Sequence, residues 1–450
     1  MLKSTFLFIS SIFWQDSIPQ LIDQQAFPVA ASIRRMDTGR EVFQHRGTEW
    51  ISPASTWKIV SVAFAKQKLG SAYRFQTPVY HTGSIQEKTL WGDLVIQGSG
   101  DPTLGSSRWP NLDPIAQLIS SLKSLGIRQI QGQIRLKNLN SFNQIPDSWT
   151  WGDMGNYYGA VPQVFNFEEN KFTVYFQAGT KMGSPSSIVS IQPKSTTWTI
   201  ENYVTTGPPG SGDQVLIYSA PGSRVITLRG TVPLGSQHFP VKGSIHDPFQ
   251  VFQELLKSRL YREGIDWIPA ETPDHSPENK LVVWESPTIQ EIGEICLAES
   301  VNLFADALLK KAWSPVDFLS WDGLKSMIPS TELPTPFWQD GSGLSSQTIL
   351  QPTRFTEYLI QISRQNEPEG WISWLPQLGK SGTVKSFSPV GIPVYVKSGS
   401  IQGVRTYAGY FKSKRGIWYA FFVGAYPLAP DQSRPARNFF QTFFAQLNQY

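Results

Sequence analysis

The chain has 450 residues, of which 40% are hydrophobic and only 16% are charged, and its formal net charge is +4. This composition predicts a folded protein of two or three domains and excludes a disordered chain. Lys and Arg form no run of five or six residues, so the sequence gives little support for nucleic-acid binding. The single cysteine, Cys296, excludes an internal disulfide and a thiol-based zinc site, and its apolar neighbours predict a small buried side chain.

The N-terminus has the pattern of an export signal. Lys3 is followed by a mostly apolar run from Phe6 to Trp14, which is the order of a basic region and a short hydrophobic region. The run is shorter than the about 20 residues that a bilayer span needs, and no later stretch is long and apolar enough for one. We therefore expect residues 1–20 to be a signal peptide, cleaved near Ser17 to Gln20, and the protein to be exported to the periplasm.

The first predicted elements are a hairpin and a helix. Two strand-like runs over 29–43 flank the turn Asp37-Thr38-Gly39, which predicts the hairpin. Apolar residues at helical spacing follow Lys58 and stop at Gly70, which predicts a buried helix. Ser55 stands just before this helix, so we expect it at a helix N-terminus.

The middle of the chain differs from its two ends in predicted secondary structure. From about residue 80 to 280, short strand-like runs alternate with Gly, Pro, Ser and Asn turns, which predicts one or two β-rich modules. Two helices are predicted within them, at Asp113–Leu125 and Pro248–Glu263. Further helices are predicted at 289–297, 301–311, 353–364 and 436–447, and strands at 394–397, 407–411 and 418–423. The pattern indicates an α/β domain built from both ends of the chain, with β-rich modules inserted between them.

Three short motifs carry the candidate chemistry. They are S-x-x-K at Ser55 and Lys58, S-x-N at Ser300 and Asn302, and K-[ST]-G at Lys397-Ser398-Gly399. Such a set is the signature of class A β-lactamases and penicillin-binding proteins. Each motif also has a decoy elsewhere in the chain, and the decoys are Ser120/Lys123, Ser141/Asn143 and Lys380-Ser381-Gly382.

Context separates the motifs from their decoys. Ser120 and Lys123 lie on an amphipathic helix and predict a solvated face, and Ser141 and Asn143 lie in a turn. The decoy K-S-G resembles the end of a phosphate loop, but such a loop needs glycine where Trp374 stands. The remaining trio is predicted at two helix starts and one strand end.

The motif residues suit acyl transfer. Positions i and i+3 of a helix face the same way, so Lys58 can reach the Ser55 hydroxyl and take its proton. Lys58 can do this only if its pKa falls, which burial and the neighbouring Lys397 ammonium would cause. The helix N-terminus favours the developing oxyanion. Ser300 is expected to relay a proton to the leaving amine, and Asn302 to hold the substrate backbone and Lys58. The Lys397 strand would offer an edge to an extended peptide.

Other catalytic classes find less support. No histidine has the partner pattern of a Ser-His-Asp triad, and we assign all five to the surface or to loops: His45, His81, His238, His246 and His275. An H-E-x-x-H motif is absent, so a zinc peptidase is not expected. We predict no metal and no cofactor.

The sequence resembles the class C low-molecular-mass penicillin-binding proteins, the D-alanyl-D-alanine carboxypeptidase/endopeptidase family. The resemblance covers nearly the whole chain after residue 25. Besides the three motifs, it rests on five further segments: Pro53-Ala54-Ser55-Thr56, Gly100-Asp101-Pro102-Thr103-Leu104, Trp149-Thr150-Trp151-Gly152-Asp153, Asp340-Gly341-Ser342-Gly343-Leu344-Ser345 and Ser400-Ile401-Gln402-Gly403-Val404.

The resemblance implies a transpeptidase-like (β-lactamase-like) α/β catalytic domain with two inserted β-rich domains. The catalytic domain would comprise residues 21–80 and 284–450. Inserted domain II would comprise residues 81–165 and 238–283, and inserted domain III residues 166–237.

The resemblance also implies roles at the site. Ser55 would be acylated by the penultimate D-Ala carbonyl or by a β-lactam, and the N–H groups of Ser55 and Ser400 would form the oxyanion hole. The Ser398 and Ser400 hydroxyls would hold the terminal carboxylate, beside Gly399 of the same motif. Asp153 and Tyr158 fall where an inserted domain touches the peptide stem, and Gln402 lies beside the same cleft.

Two positions depart from the family pattern. Ser398 stands where Thr is usual, and its hydroxyl is retained. Ser346 stands where some relatives carry an Arg for the free end of a diaminopimelate stem. Recognition of a carboxylate on the stem is therefore in question.

We expect an exported serine DD-peptidase acting on peptidoglycan stem peptides and acylated by β-lactams. It would hydrolyse D-Ala-D-Ala ends as a carboxypeptidase, D-Ala-diamino acid cross-links as an endopeptidase, or both. One alternative is a β-lactamase-type hydrolase, against which the roughly 245-residue gap between Ser55 and Ser300 argues. The other is a non-catalytic wall-binding protein, against which the three intact motifs argue. The oligomeric state and the third stem residue stay open.

Overall fold

A computed structural model describes residues 17–137, 145–271, 278–313, 321–329, 331–366, 368–448 and 450, with the backbone alone at 368 and 369. The signal peptide predicted for residues 1–20 therefore lies almost entirely outside the described residues. The same holds for the decoy pair Ser141 and Asn143 and for His275.

The strands of the described chain are numbered in chain order. They are β1 (Val29–Arg35), β2 (Glu41–His45), β3 (Arg74–His81), β4 (Ser84–Gln86), β5 (Thr89–Trp91), β6 (Leu94–Gln97), β7 (Gln129–Gln131), β8 (Ile134–Lys137), β9 (Lys171–Gln177), β10 (Ser187–Gln192), β11 (Thr199–Gly207), β12 (Gln214–Tyr218), β13 (Val225–Pro233), β14 (Phe239–Ser244), β15 (Asp266–Ile268), β16 (Asn279–Thr288), β17 (Val394–Ile401), β18 (Val404–Lys412) and β19 (Trp418–Ala425).

The α-helices are numbered in the same way, after a helical segment at 17–23. They are α1 (Lys58–Leu69), α2 (Pro114–Ser124), α3 (Trp151–Met154), α4 (Pro248–Arg262), α5 (Ile289–Glu299), α6 (Asn302–Trp313), α7 (Trp321–Met327), α8 (Pro352–Gln365), α9 (Pro368–Ile372) and α10 (Ser433–Leu447). Short 3₁₀ turns occur at Ala54–Trp57, Tyr157–Gly159, Glu168–Asn170, Gly382–Val384 and Pro430–Gln432. The longer helices and the last three strands confirm the sequence prediction within a few residues at their ends.

The chain folds into two compact units. The first comprises 17–71, Gln290–Trp313 and Trp321–Tyr450, and the second comprises Ala72–Ile289. The first unit is therefore built from both ends of the chain. Strand β3 pairs with β16 and belongs to the second unit. The bounds of the catalytic domain, residues 21–80 and 284–450, stay a prediction. The division of the insertion into domains II and III stays a prediction.

The first unit is centred on an antiparallel five-stranded sheet in the order β17-β18-β19-β1-β2. Helix α10 places Phe439, Phe440, Phe443, Phe444 and Leu447 at helical spacing, and all of them are buried in one hydrophobic core. Ile18 and Ile22 of segment 17–23 belong to the same core. Helix α8 packs against β1 and β19, with the Ser32 and Thr356 hydroxyls 2.8 Å apart in a buried position. This mixture of helices and an antiparallel sheet is the predicted α/β class.

The second unit is rich in strands. It contains two four-stranded sheets, β15-β7-β5-β4 and β16-β3-β6-β8, and two three-stranded sheets, β10-β9-β14 and β11-β13-β12. Helices α2 and α4 bury Leu118, Leu122, Phe252 and Leu256 in its hydrophobic core. The assignment of His81 to the surface or a loop was wrong, because His81 ends strand β3 and is only 9% exposed.

Among the described residues, none of the helices combines the length and the apolar character that crossing a membrane requires.

Candidate active site

Ser55 lies in a strained turn at the start of helix α1. The 3₁₀ turn Ala54–Trp57 runs directly into α1, and Ala54 has a φ of +47°, a left-handed conformation that costs free energy for a residue other than glycine. The N–H and the hydroxyl of Thr56 both donate to the Pro53 carbonyl, at 3.2 and 2.7 Å. The buried Trp57 indole donates to the Asp340 carbonyl at 2.9 Å. These bonds fix the turn and leave the Ser55 side chain only half-buried.

Lys58 lies one helical turn after Ser55 and is fully buried. Its side chain reaches Ser55, as the i to i+3 spacing predicts. Its Nζ lies 2.8 Å from Ser55 Oγ and donates to the Ser342 carbonyl at 2.7 Å. Burial lowers the pKa of Lys58 to about 8, although the charges of Cys296, Asp306 and Asp340 favour the protonated form. An appreciable fraction of this amine is therefore uncharged near neutral pH, within hydrogen-bond distance of the serine hydroxyl.

The loop Asp340–Ser345 holds Lys58 from the other side. The Asp340 carboxylate accepts the N–H groups of Gly343 and Ser345 at 2.6 and 2.8 Å, which fixes the shape of the loop. Gly343 has a φ of +71°, and a Cβ at this position would overlap the Ala54 carbonyl oxygen. The sequence analysis gave this loop no chemical role, and so missed that its Ser342 carbonyl accepts a hydrogen bond from Lys58.

Ser300 and Lys397 form a second serine–lysine pair. Ser300 lies between α5 and α6 with a φ of +64°, and Lys397 is fully buried in β17. Lys397 Nζ donates to Ser300 Oγ at 2.9 Å and to the Ser398 carbonyl at 2.8 Å. Burial and the charge of Lys58 lower the pKa of Lys397 well below its usual value. Asn302 is the first residue of α6 and is half-buried.

The third motif packs directly on the turn that carries Ser55. A Cβ at Gly399 would lie 2.6 Å from the Pro53 carbonyl oxygen and 3.0 Å from the Thr56 nitrogen, so glycine is needed for the strand to approach this closely. On the next strand, the Thr406 hydroxyl donates to the same Pro53 carbonyl at 2.6 Å. Strand β17 is the outermost strand of its sheet, and its Val394 and Val396 form hydrogen bonds with Leu378 and Pro376. The use of this strand as an edge for an extended peptide stays a prediction.

Two buried groups, Asp306 and Cys296, lie close to Lys58. Asp306 of α6 accepts the Gly341 N–H at 2.7 Å, and burial together with the Asp340 charge raises the pKa of Asp306 well above its usual value. Cys296 is fully buried, as predicted, and burial raises the pKa of its thiol to about 12. Burial is the main cause of both shifts, and the charge of Lys58 opposes each of them.

The remaining predicted site residues of this unit lie around β17. Ser398 is half-buried, and its hydroxyl lies 2.7 Å from the Thr383 hydroxyl. Ser400 is exposed at the end of the strand, and Gln402 is exposed in the turn between β17 and β18. Sequence reasoning missed Thr383, which follows the decoy Lys380-Ser381-Gly382.

Asp153 and Tyr158 lie in the second unit. Asp153 caps helix α3, where its carboxylate accepts the N–H and the hydroxyl of Thr150 at 2.9 and 2.7 Å. Burial, with the nearby Asp153 charge, raises the pKa of Tyr158 to about 12. Their contact with a peptide stem stays a prediction. The decoy Lys123 lies in this unit too, and its exposed ammonium binds Glu263 at 2.5 Å, as a solvated helix face predicts.

Comparison with known proteins finds one family over nearly the whole chain. The profile of the D-Ala-D-Ala carboxypeptidase 3 (S13) family matches residues 15–446. The chain is 22% identical over 435 residues to the D-alanyl-D-alanine carboxypeptidase DacB of Haemophilus influenzae, with 90% of this chain and 87% of that protein covered. It is 23% identical over 415 residues to a D-alanyl-D-alanine carboxypeptidase of Actinomadura sp. strain R39, with 84% and 74% covered.

A solved structure shares the fold. The crystal structure of penicillin-binding protein 4 from Haemophilus influenzae superposes with a TM-score of 0.78 at 19% identity. The match covers 96% of this chain and 100% of that one.

Proposed function

This chain belongs to the D-Ala-D-Ala carboxypeptidase 3 (S13) family, and on that premise we propose that Ser55 is the nucleophile with which it attacks the carbonyl of a penultimate D-Ala. The chain is a serine DD-peptidase. Its substrates are peptidoglycan stem peptides, from which it removes a terminal D-Ala, or in which it cleaves the bond between D-Ala and a cross-linked diamino acid. β-Lactams acylate the same serine.

One observation supports this assignment above all. A buried lysine with a lowered pKa lies 2.8 Å from a half-buried serine hydroxyl, in a strained turn against which the K-S-G strand packs. A hydroxyl becomes a useful nucleophile only when a base removes its proton as it attacks. Lys58 meets the distance that a general base needs, and its pKa of about 8 lies near working pH.

Acylation then follows from these positions. Ser55 Oγ bonds to the carbonyl carbon while its proton moves to Lys58 Nζ. The N–H groups of Ser55 and Ser400 stabilise the oxyanion of the tetrahedral intermediate. Collapse of the intermediate breaks the C–N bond, and the leaving amine receives the proton from Lys58 through the Ser300 hydroxyl. Lys397, 2.9 Å from Ser300 Oγ, holds that relay in place.

Deacylation reverses the proton path. A water molecule gives one proton to Lys58 and its oxygen attacks the acyl carbon. The ester bond to Ser55 breaks, and Ser55 Oγ regains a proton from Lys58. The enzyme returns to its starting state, and the peptide leaves as a free acid one residue shorter, or separated from its cross-linked partner.

Substrate recognition is proposed around β17. The hydroxyls of Ser398 and Ser400 would bind the terminal carboxylate, and Asn302 would hold the substrate backbone. Gln402, Asp153 and Tyr158 would contact the stem peptide. We also propose that the N-terminal segment is an export signal and that the enzyme works in the periplasm, where peptidoglycan lies.

Mass spectrometry of the penicillin adduct tests the nucleophile and the enzyme class together. Benzylpenicillin should add one acyl group to the intact protein, on the peptide that contains Ser55, and Ser55→Ala should remain unlabelled. Ser120→Ala is the matched control, because Ser120 also begins an S-x-x-K sequence, and it should be labelled like the wild type. The wild type should release D-Ala from a peptide ending in D-Ala-D-Ala, and Ser55→Ala should not.

Three outcomes would contradict the proposal. The adduct could lie on another residue, or Ser55→Ala could still release D-Ala. Rapid repeated hydrolysis of nitrocefin, without a stable adduct, would instead favour a β-lactamase.

A further inference from the structure

The decoy K-S-G motif leads into a segment that contacts the proposed carboxylate site. Lys380-Ser381-Gly382 is followed by Thr383, whose Oγ1 lies 2.7 Å from Ser398 Oγ. Ser398 is one of the two serines whose hydroxyls are proposed to bind the terminal carboxylate of the substrate. The decoy segment therefore belongs to the surroundings of the site, although the family motifs do not include it.

The position of Thr383 is fixed from both sides. Gly382 has a φ of +58°, and a Cβ there would lie 2.5 Å from the Ala298 carbonyl oxygen, so the chain is packed against the end of α5 two residues before Ser300. On the other side Val384 is fully buried in the core, and its carbonyl accepts the Gly379 N–H at 3.1 Å. Thr383 itself is exposed between these two anchors. Its hydroxyl is thus held at Ser398 by packed backbone.

The same segment is joined to strand β17. The N–H of Leu378 donates to Val394 and the N–H of Val396 donates to Pro376, both at 2.9 Å. These bonds fix the register of the segment against β17, so that Thr383 lies beside Ser398. Within the first unit, the segment thus lies between the end of α5 and the strand that carries the third motif.

The charge of the segment suits an anion. Lys380 and Lys385 are exposed on either side of Thr383, and the sequence from 376 to 390 contains no acidic residue. A local excess of positive charge attracts a carboxylate and raises the rate of its association.

We propose that Thr383 is a positioning residue for recognition of the substrate's terminal carboxylate. A hydroxyl has one proton to donate and two lone pairs to accept with. Either hydroxyl can donate in the hydrogen bond between Thr383 and Ser398. When a bound carboxylate accepts the Ser398 proton, Thr383 is the donor to Ser398 Oγ. Hydrogen bonds to an ionised acceptor are the stronger class, and a chain of hydroxyls strengthens each member. The inference rests on the proposed function and assigns a further residue to the same site.

The test compares two substrates that differ only in the terminal charge. One is an acylated peptide ending in D-Ala-D-Ala with its free carboxylate, and the other is the same peptide with a C-terminal amide. Thr383→Val keeps the shape of the side chain and removes the hydroxyl. We expect it to lower kcat/KM for the free acid about 10- to 100-fold, mainly through KM, as the loss of a hydrogen bond that supports a charged partner should do. For the amide substrate, kcat/KM should change less than about threefold, since the amide lacks the negative charge that the Ser398 and Thr383 hydroxyls are proposed to bind.

Two control variants separate positioning from structural damage. Thr383→Ser restores the hydroxyl and should bring the free-acid substrate close to wild-type values. Ser381→Ala removes an exposed hydroxyl of the same segment, one that accepts the Gln377 N–H at 3.0 Å, and should leave both substrates unchanged.

The outcomes are distinguishable. If wild-type protein releases no D-Ala from the free acid, the proposed function itself fails. If the wild type is active and Thr383→Val slows both substrates equally, or slows neither, the role of Thr383 is refuted. Failure of Thr383→Ser to restore the free-acid rate would refute it as well.

Discussion

The pH dependence of acylation gives the sharpest test of the site. Lys58 must be uncharged to take the Ser55 proton, so the acylation rate should follow the neutral fraction of Lys58. With a pKa of about 8, about 9% of Lys58 is neutral at pH 7, whereas an unperturbed lysine with a pKa of 10.5 would be only about 0.03% neutral. Burial thus increases the reactive form about 300-fold, equivalent to about 3 kcal/mol.

The sign and shape of the profile follow from the lowered pKa. Lowering the pH through 8 protonates Lys58 and removes the base, so activity falls on the acid side. From pH 6 to 7 the rate should rise about ninefold, from 7 to 8 about fivefold, and from 8 to 9 less than about twofold. The charge of Lys58 also lowers the pKa of Lys397, so the two amines do not titrate independently.

Stopped-flow measurement with a fluorescent penicillin gives the second-order acylation rate across this range. Circular dichroism at each pH should confirm that the protein stays folded. Lys58→Arg is the matched variant, because arginine keeps the positive charge but stays protonated, and it should lose acylation at every pH. A flat profile between pH 6 and 8 would refute the reasoning. So would a rate that climbs tenfold per pH unit up to pH 10.

Three further predictions concern the surroundings of the site and the core. Gly343→Ala should slow penicillin acylation at least 100-fold, because its Cβ overlaps the Ala54 carbonyl, whereas Gly39→Ala, with a similar φ of +72° but open space around it, should keep the wild-type rate. Asp306→Asn should move the acid limb of the acylation profile to lower pH, because it removes a negative charge that favours the protonated form of Lys58; an unmoved or upward-shifted limb would contradict this. Ile22→Ala should cost about 2–4 kcal/mol of stability, seen as a lower Tm, because this side chain is only 5% exposed in the core of the first unit; an unchanged Tm would show that residue 22 does not pack there.

Local sequence determined much of the chemistry. The reach of Lys58 to Ser55 follows from helix geometry alone, because i and i+3 side chains share a face in any helix. Helix α10 and strands β17 to β19 were likewise predicted, since each places apolar residues at the period of its own element. The need for a lowered lysine pKa, with burial as a cause, also followed from the residue types, whereas the complete burial of Lys58 is a property of the folded chain.

Long-range packing decided the rest. Lys397 and Ser300 are 97 residues apart, and only the fold of the first unit places their side chains 2.9 Å from each other. The Ser342 carbonyl binds Lys58 across 284 residues, and no side-chain pattern marks a backbone acceptor in advance. His81 looked like a surface residue because a single polar side chain carries no sign of the strand pairing that buries it.

The two K-S-G sequences show where sequence reasoning stops. The same three residue types occur at Lys380 and at Lys397, and the sequence analysis assigned the chemistry to the copy at Lys397. In the folded chain Lys397 is fully buried and Lys380 is exposed, and Thr383 beside the decoy meets Ser398 of the motif. Residue type and local period are properties of a short segment, whereas burial and pairing depend on which distant segments pack against it, and only the tertiary structure sets those.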